Sequence, residues 1–570
     1  MLRRASVLLS FGLVVACGSG GSSGSPGAGG NLGQPGCTAA PECNGCLDCY
    51  SKCVCTTGDV QACPAACGLS SGGASGGGFG GTGNAPPTGG SPGTGGSAGP
   101  DDLASNIRVT EIAVYQAVKI PVMKAGAEVT QRNAQVVAGR DALVRVFVSP
   151  DPGFTPREIV GRLTLQGPGA GAPIEVKQAI NAASSDASLP STLNFEVPGA
   201  QISAGTTYSV TLLEPAPGGP PGAEDGARFP VNGAANLGAQ STGPSLNVTV
   251  VPIVVNGFTP GTSQSQMNIL YNRLKGMYPT PDVKITVRAA VNYPSSVSAT
   301  SGNSWSQALN FVESVRQQDQ PPKNTFYFGM ITPANSSFQF CGGGCIAGLS
   351  NQPGPNDVSG RCSIGLGFFN QGQNDPDSTM AHEVGHAHGV GHAPCTQFGG
   401  ITGVDPNFPY NGGSIGTWGW DIIGKQLKNP AQFTDIMGYC EQEWISDYNY
   451  QKWFTRLAYV NSTAYYKVID TERAPGLFRT LILDGDGSSS WGYEFTMHDP
   501  VEGEKRTVNL VDAQGNVTGS ITGFYTPHDH GGGGFLRVRS SRLTTLAPTQ
   551  LLKVQGAAAL SVGSLKQAPN

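Results

Sequence analysis

Apolar and polar positions fall into three blocks along the chain. In the first, short β-type runs recur at 107–113, 142–148, 159–165, 193–197 and 208–213, separated by Gly, Pro, Asn and Asp. Within Leu143-Val144-Arg145-Val146-Phe147-Val148 the alternation is clear enough to give one buried face. Strands at this spacing predict an all-β sandwich-like domain over 105–245.

The second block, 246–462, mixes two periods. Apolar runs at 248–255, 283–287 and 326–331 read as strands. Between them, Met267, Leu270, Leu274 and Met277 keep helical spacing over 263–277, and Trp305, Leu309, Val312 and Val315 mark a second helix with Ser304 as its cap. Alternating strands and helices predict βαβ units and a mixed, twisted sheet. Two glycine-interrupted runs follow at 341–349 and 362–369. Either is a sheet edge to which an extended peptide adds, or a disulfide-pinned loop. Asp375-Pro376-Asp377-Ser378 opens a further helix, and 444–457 is helix-like and closes the block. The third block, 463–570, is β again, with runs at 478–483, 494–497 and 535–538, and predicts a second sandwich-like domain. The expected fold is therefore multidomain, an α/β domain with a mixed, twisted sheet flanked by all-β sandwich-like domains.

Ahead of these blocks the composition changes. Arg3 and Arg4, an apolar stretch at 7–15 and Val14-Val15-Ala16-Cys17 read as an export signal over 1–17, too short for a membrane-spanning helix. Small residues before a cysteine resemble the bacterial lipobox, so Cys17 is the expected lipid anchor and the sole membrane contact. Gly/Ser-rich linkers at 18–36 and 68–104 flank eight cysteines within 37–67. Part of that cluster has iron–sulfur spacing. Export into an oxidising compartment favours a disulfide-rich module instead. The expected location is the bacterial cell envelope, as an outer-membrane or surface lipoprotein, tethered or released.

Composition supports an exported, loop-rich protein: 83 glycines and 13% charged residues in 570. A net charge of −5 without a basic stripe gives no case for nucleic acid.

Chemistry concentrates in one place. The chain has seven histidines, and four of them fall in His382-Glu383-Val384-Gly385-His386-Ala387-His388-Gly389-Val390-Gly391-His392. This is H-E-x-x-H-x-x-G-x-x-H at every fixed position. On a helix, His382 and His386 share a face, and Glu383 lies about 100° round, where a base acting on water would stand. Gly389 suits a left-handed helix end that turns His392 back toward the other two. His388, about 240° from His382, points elsewhere and reads as a packed histidine. Outside this motif, Asp484-Gly485-Asp486-Gly487 fails the EF-hand pattern, and His528-Asp529-His530, before four glycines, reads as an exposed turn, with metal binding as the lesser alternative.

The motif, followed by Asp435-Ile436-Met437-Gly438-Tyr439-Cys440, resembles the metzincin clan of zinc peptidases. H-E-V-G-H-x-x-G-x-G-H is similar to the StcE-type (dactylysin-like) bacterial secreted mucin proteases. The resemblance implies one catalytic zinc ion held by His382, His386 and His392, with Met437 and Gly389 forming the structural floor. It implies Glu383 as the base that activates zinc-bound water, and Tyr439 as a donor to the oxyanion. Cys395 and Cys440, each three residues beyond a site residue, are the expected disulfide across the floor. The function implied is a secreted, surface-tethered metalloendopeptidase acting on proteins or glycoproteins. The competing reading is a non-catalytic adhesin or glycan-binding lipoprotein with a vestigial zinc site.

Overall fold

The computed structural model describes residues 103–570 apart from 217–221, 356, 358–359, 370–374, 396–401, 463–469, 531, 568 and 570. The expected signal segment, Cys17, the cysteine-rich module and the linkers up to residue 102 lie outside the described residues. The described structure is sheet-rich with few helices.

In the first block Ile107–Tyr115 pairs antiparallel with Ala117–Lys124 on one side and Ala142–Pro150 on the other, and Leu193–Val197 extends the sheet. A second sheet is built on Arg157–Gln166, between Ile174–Ile180 and Thr207–Leu213. The two face each other so closely that a Cβ at Gly161 would stand 2.5 Å from Leu193 Cδ2. The first sheet also reaches across residue 246. Gly419–Asp421 adds to Ala117–Lys124, and Gln426–Lys428 adds outside it. Trp420 is thereby buried with Tyr115 and Leu143.

The central sheet has Leu246–Val254 parallel to Val283–Val287 and Thr325–Ile331, and Thr325–Ile331 parallel to Cys362–Leu366. Gly348–Ser350 runs antiparallel along the edge. Side chains leave alternate faces of these strands. Val248, Val250, Phe326 and Phe328 enter one core, shared with helices α1 (Gln264–Met277), α3 (Pro376–Ala387) and α4 (Asp447–Asn461). Val251, Ile253, Tyr327 and Ile331 enter the other, against α2 (Gly302–Asp319). A capping box between Ser263 and Gln266 starts α1. Helix α2 begins before the expected cap: Ser301 is the N-cap, and Ser304 lies in the first turn, donating to Ser301 O at 2.8 Å. The apolar stripe that marked this helix starts only at Trp305, so its polar first turn carried no periodic signal.

The last block forms one antiparallel sheet of seven strands, where a sandwich was expected. Helix α2 supplies the missing layer. Phe478, Ile482, Tyr493 and Phe495 pack with Trp305, Leu309 and Val312 in one cluster, while Leu481, Leu483, Trp491 and Leu536 form another. Among the described residues no helix is long and apolar enough to cross a membrane.

Candidate metal centre

Helix α3 carries the first two motif histidines. Pro376 occupies its first turn after Asp375, where a missing N–H costs nothing. Gly385, between His382 and His386, has no side chain because a Cβ there would stand 2.6 Å from Met437 Sδ. Met437 is therefore packed directly against the helix. Its turn is held by Asp435, whose carboxylate accepts from Met437 N–H at 2.8 Å and Ser446 N–H at 2.9 Å. At the other end Gly389 adopts φ +85°, and its N–H donates to His386 O at 2.7 Å. The chain then reverses. His392 N–H donates to Gly403 O at 3.0 Å, which sets the third histidine beside the first two.

Each of the three rings donates Nδ1–H to a backbone carbonyl: His382 to Ile436 O at 2.7 Å, His386 to Val390 O at 2.8 Å, and His392 to Thr402 O at 2.5 Å. A carbonyl can only accept, so the proton sits on Nδ1 and every Nε2 presents a lone pair. These lone pairs converge. His386 Nε2 lies 2.9 Å from His382 Nε2 and 3.1 Å from His392 Nε2. Three acceptors cannot satisfy one another, whereas tetrahedral ligands at ~2.0–2.1 Å from one ion stand about 3.3 Å apart. The donor set fits a single cation. Burial lowers His382 to about 4 and His392 to about 2, with neighbouring histidines adding to the effect, and holds His386 well below its usual value. All three are neutral and ready to ligate.

Glu383 points into the same space and is 3% exposed. Burial, and then the nearby Asp529 carboxylate, push its pKa well up. Tyr439 brings its hydroxyl 3.0 Å from His392 Nε2, and burial followed by the Glu383 and Asp529 charges keeps the phenol protonated. Its N–H donates to Cys395 O at 2.8 Å, and Cys395 and Cys440 stand at disulfide distance. His388 turns away from the centre, stacks on Phe326 at 4.3 Å and donates to Val384 O at 2.7 Å.

Two further side chains reach the centre from the third block. The turn His528-Asp529-His530 joins strands Val517–Pro527 and Gly534–Arg539 and docks on the edge of the central sheet. Gln352 N–H donates to Pro527 O at 2.8 Å, Asp529 N–H to Ser350 O at 3.2 Å, and Ser350 N–H to Asp529 Oδ1 at 2.9 Å. This pairing overturns the exposed-turn reading, because His528 and Asp529 are buried by it. His530 lies parallel over His392 at 5.0 Å, with Nδ1 3.0 Å from the Tyr439 hydroxyl. The available signal was scarcity: seven histidines in the chain, two of them flanking one aspartate.

A cleft of about 1260 Å³ opens in front of the cluster, bordered by Gly348, Ser378, Phe433, Tyr439 and Glu443. None of the residues 409–421, the aromatic and glycine-rich stretch between the motif and Met437, borders it. The two readings of 341–349 both find a counterpart: Cys341 and Cys345 stand at disulfide distance, and Gly348–Ser350 is the sheet edge beside the cleft. Cys362 is a buried thiol in an interior strand.

No curated protein matches the chain. The sequence model of the family described as Peptidase M66 matches residues 355–472, the stretch that holds all three histidines, Glu383, Met437 and Tyr439. That match supports a zinc metallopeptidase family and, with it, a protein substrate, and the three-histidine cluster is compatible with zinc.

Proposed function

We propose that the protein is a zinc-dependent endopeptidase of metzincin type, exported and tethered to the cell surface through Cys17, that cleaves extracellular proteins, glycoproteins among them. One observation carries the reading: the His382 and His392 Nε2 lone pairs converge within 3.1 Å of that of His386, with the Glu383 carboxyl beside them in a cleft open to solvent. A zinc ion bound there supplies Lewis acidity toward a peptide carbonyl and toward water. The remaining work belongs to the chain. Glu383 takes the proton of the attacking water and returns it to the leaving amine. The Tyr439 phenol, kept protonated, donates to the oxyanion. Gly348 offers its outward backbone N–H and C=O to an extended substrate, since Ala347 O and Asn351 N–H already bond inward to Leu366 and Cys362.

The test is cleavage of casein and of mucin by purified protein and by Glu383→Ala, with bound metal counted in both. We expect chelator-sensitive cleavage by wild type and its loss in the variant at equal zinc content. Equal cleavage by both, or a zinc-loaded wild type inert on the whole panel even after limited proteolysis, overturns the proposal.

A further inference from the structure

Asp529 is 3% exposed, and its two carboxylate oxygens are treated differently. Oδ1 accepts the Ser350 N–H at 2.9 Å. Oδ2 meets no backbone, hydroxyl or amide donor among the described residues; the Glu383 carboxyl is the side chain that hydrogen-bonds Asp529, and Oδ2 lies 3.3 Å from His386 Nε2 and 3.3 Å from His530 Nε2. A buried carboxylate oxygen with no donor is costly unless a proton or a cation answers it. Its spacing from His386 is that of a ligand, close to the 2.9 and 3.1 Å that separate His386 Nε2 from the other two ring nitrogens.

We propose that Asp529 is a fourth protein ligand of the same metal, so that the C-terminal hairpin closes the coordination position a catalytic ion keeps for water. The inference rests on the metallopeptidase reading above. Four protein ligands make a closed site, and a catalytic site needs one position open. Asp529 also hydrogen-bonds the Glu383 carboxyl, so the base is engaged by the same side chain. The form with Asp529 in place is thus a latent one, opened when Asp529 leaves.

The strap that holds Asp529 in place also links latency to substrate. Ser350 N–H and Ser350 O, both engaged by Asp529, lie on the outer edge of the strand Gly348–Ser350. An extended peptide adding along that edge needs those same groups. Lifting the hairpin therefore frees the peptide-binding edge and the metal position in one movement. Gly532, at φ +73°, gives the turn a backbone conformation that other residues rarely adopt.

The experiment compares the full-length protein with Asp529→Asn, which keeps an oxygen for Ser350 N–H but removes the anionic ligand. Zinc affinity by chelator competition should fall roughly tenfold or more, the visible spectrum of the Co²⁺-loaded variant should differ from wild type, and casein cleavage should rise. Azide titrated into Co²⁺-loaded wild type reads the closed position without any variant: its spectrum should stay unchanged where that of Asp529→Asn shifts. Unchanged affinity and spectrum in the variant, lower casein cleavage, or ready azide binding by wild type overturns the assignment. A wild type that binds no metal, or one whose metal survives His386→Ala, counts instead against the metallopeptidase reading.

Discussion

Gly348 packs directly against the carboxylate of Glu383: a Cβ on the glycine would stand 2.4 Å from Oε1 and 2.6 Å from Cδ. Glu383 is 3% exposed and hydrogen-bonded to Asp529, so a methyl group on residue 348 must push its carboxyl out of that place. Gly348→Ala should displace the base while leaving the three histidines untouched. General-base catalysis is worth ~10²–10⁴-fold, and partial misplacement should cost about ten- to a hundredfold in kcat/KM. Zinc content should match wild type. Steady-state cleavage of a fluorogenic peptide, beside metal analysis, separates the two, and an unchanged rate would remove Glu383 from the reaction.

What could be read from the chain beforehand was whatever depended on local period. His382 and His386 share a face because four residues make about one helical turn, and Gly389 ends that helix because a left-handed residue favours glycine. The core strands around 248–255 and 326–331 announced themselves by continuous apolar runs. Asp529 and His530 did not, because their place depends on a strand pairing 179 residues apart in sequence, between Ser350 and Asp529. Nothing local to His528-Asp529-His530 distinguishes a docked turn from a solvated one. Gly419–Asp421 has the same character: its partner, Ala117–Lys124, lies in the first block, and a three-residue strand carries too little pattern to name it.

His388 should leave a mark on stability against pH. Burial holds its pKa at about 3 against an ordinary 6.5, opposed by the Val384 carbonyl that its ring N–H meets and reinforced by Arg456 and Arg361. The folded imidazole stays neutral while the unfolded one takes a proton below about pH 6.5. Stability is therefore full above 6.5, falls as pH drops toward about 3, and levels off below that. One such group contributes up to ~1.4 kcal/mol per pH unit in that window. Urea denaturation of metal-free wild type and His388→Phe between pH 4 and 6 checks it. The variant's slope should be shallower by up to that amount, and equal slopes would mean that His388 is protonated in the fold.

The hairpin that carries Asp529 is secured by a buried ion pair, which makes its docking open to separate attack. Arg537, on the strand leaving the hairpin, donates Nη2–H to Glu313 Oε1 at 2.5 Å, with the two side chains 2% and 4% exposed. Glu313 belongs to α2 and also accepts from Asn351 Nδ2 at 2.7 Å, next to the edge strand. Arg537 Nη1 donates to Thr526 Oγ1 at 2.9 Å. Such a pair need not add net stability, since both charges were desolvated to form it, but removing one partner strands the other. Arg537→Met should cost about 3–5 kcal/mol in urea denaturation. Adding Glu313→Leu should recover much of that loss, short of the ~1–3 kcal/mol expected for the Asn351 amide left without its acceptor. Recovery on this pattern would mean that the charges serve to hold the hairpin in register over the metal site. A single variant as stable as wild type would mean that backbone pairing through Ser350 and Gln352 suffices to hold the hairpin, and that the ion pair adds nothing to its docking.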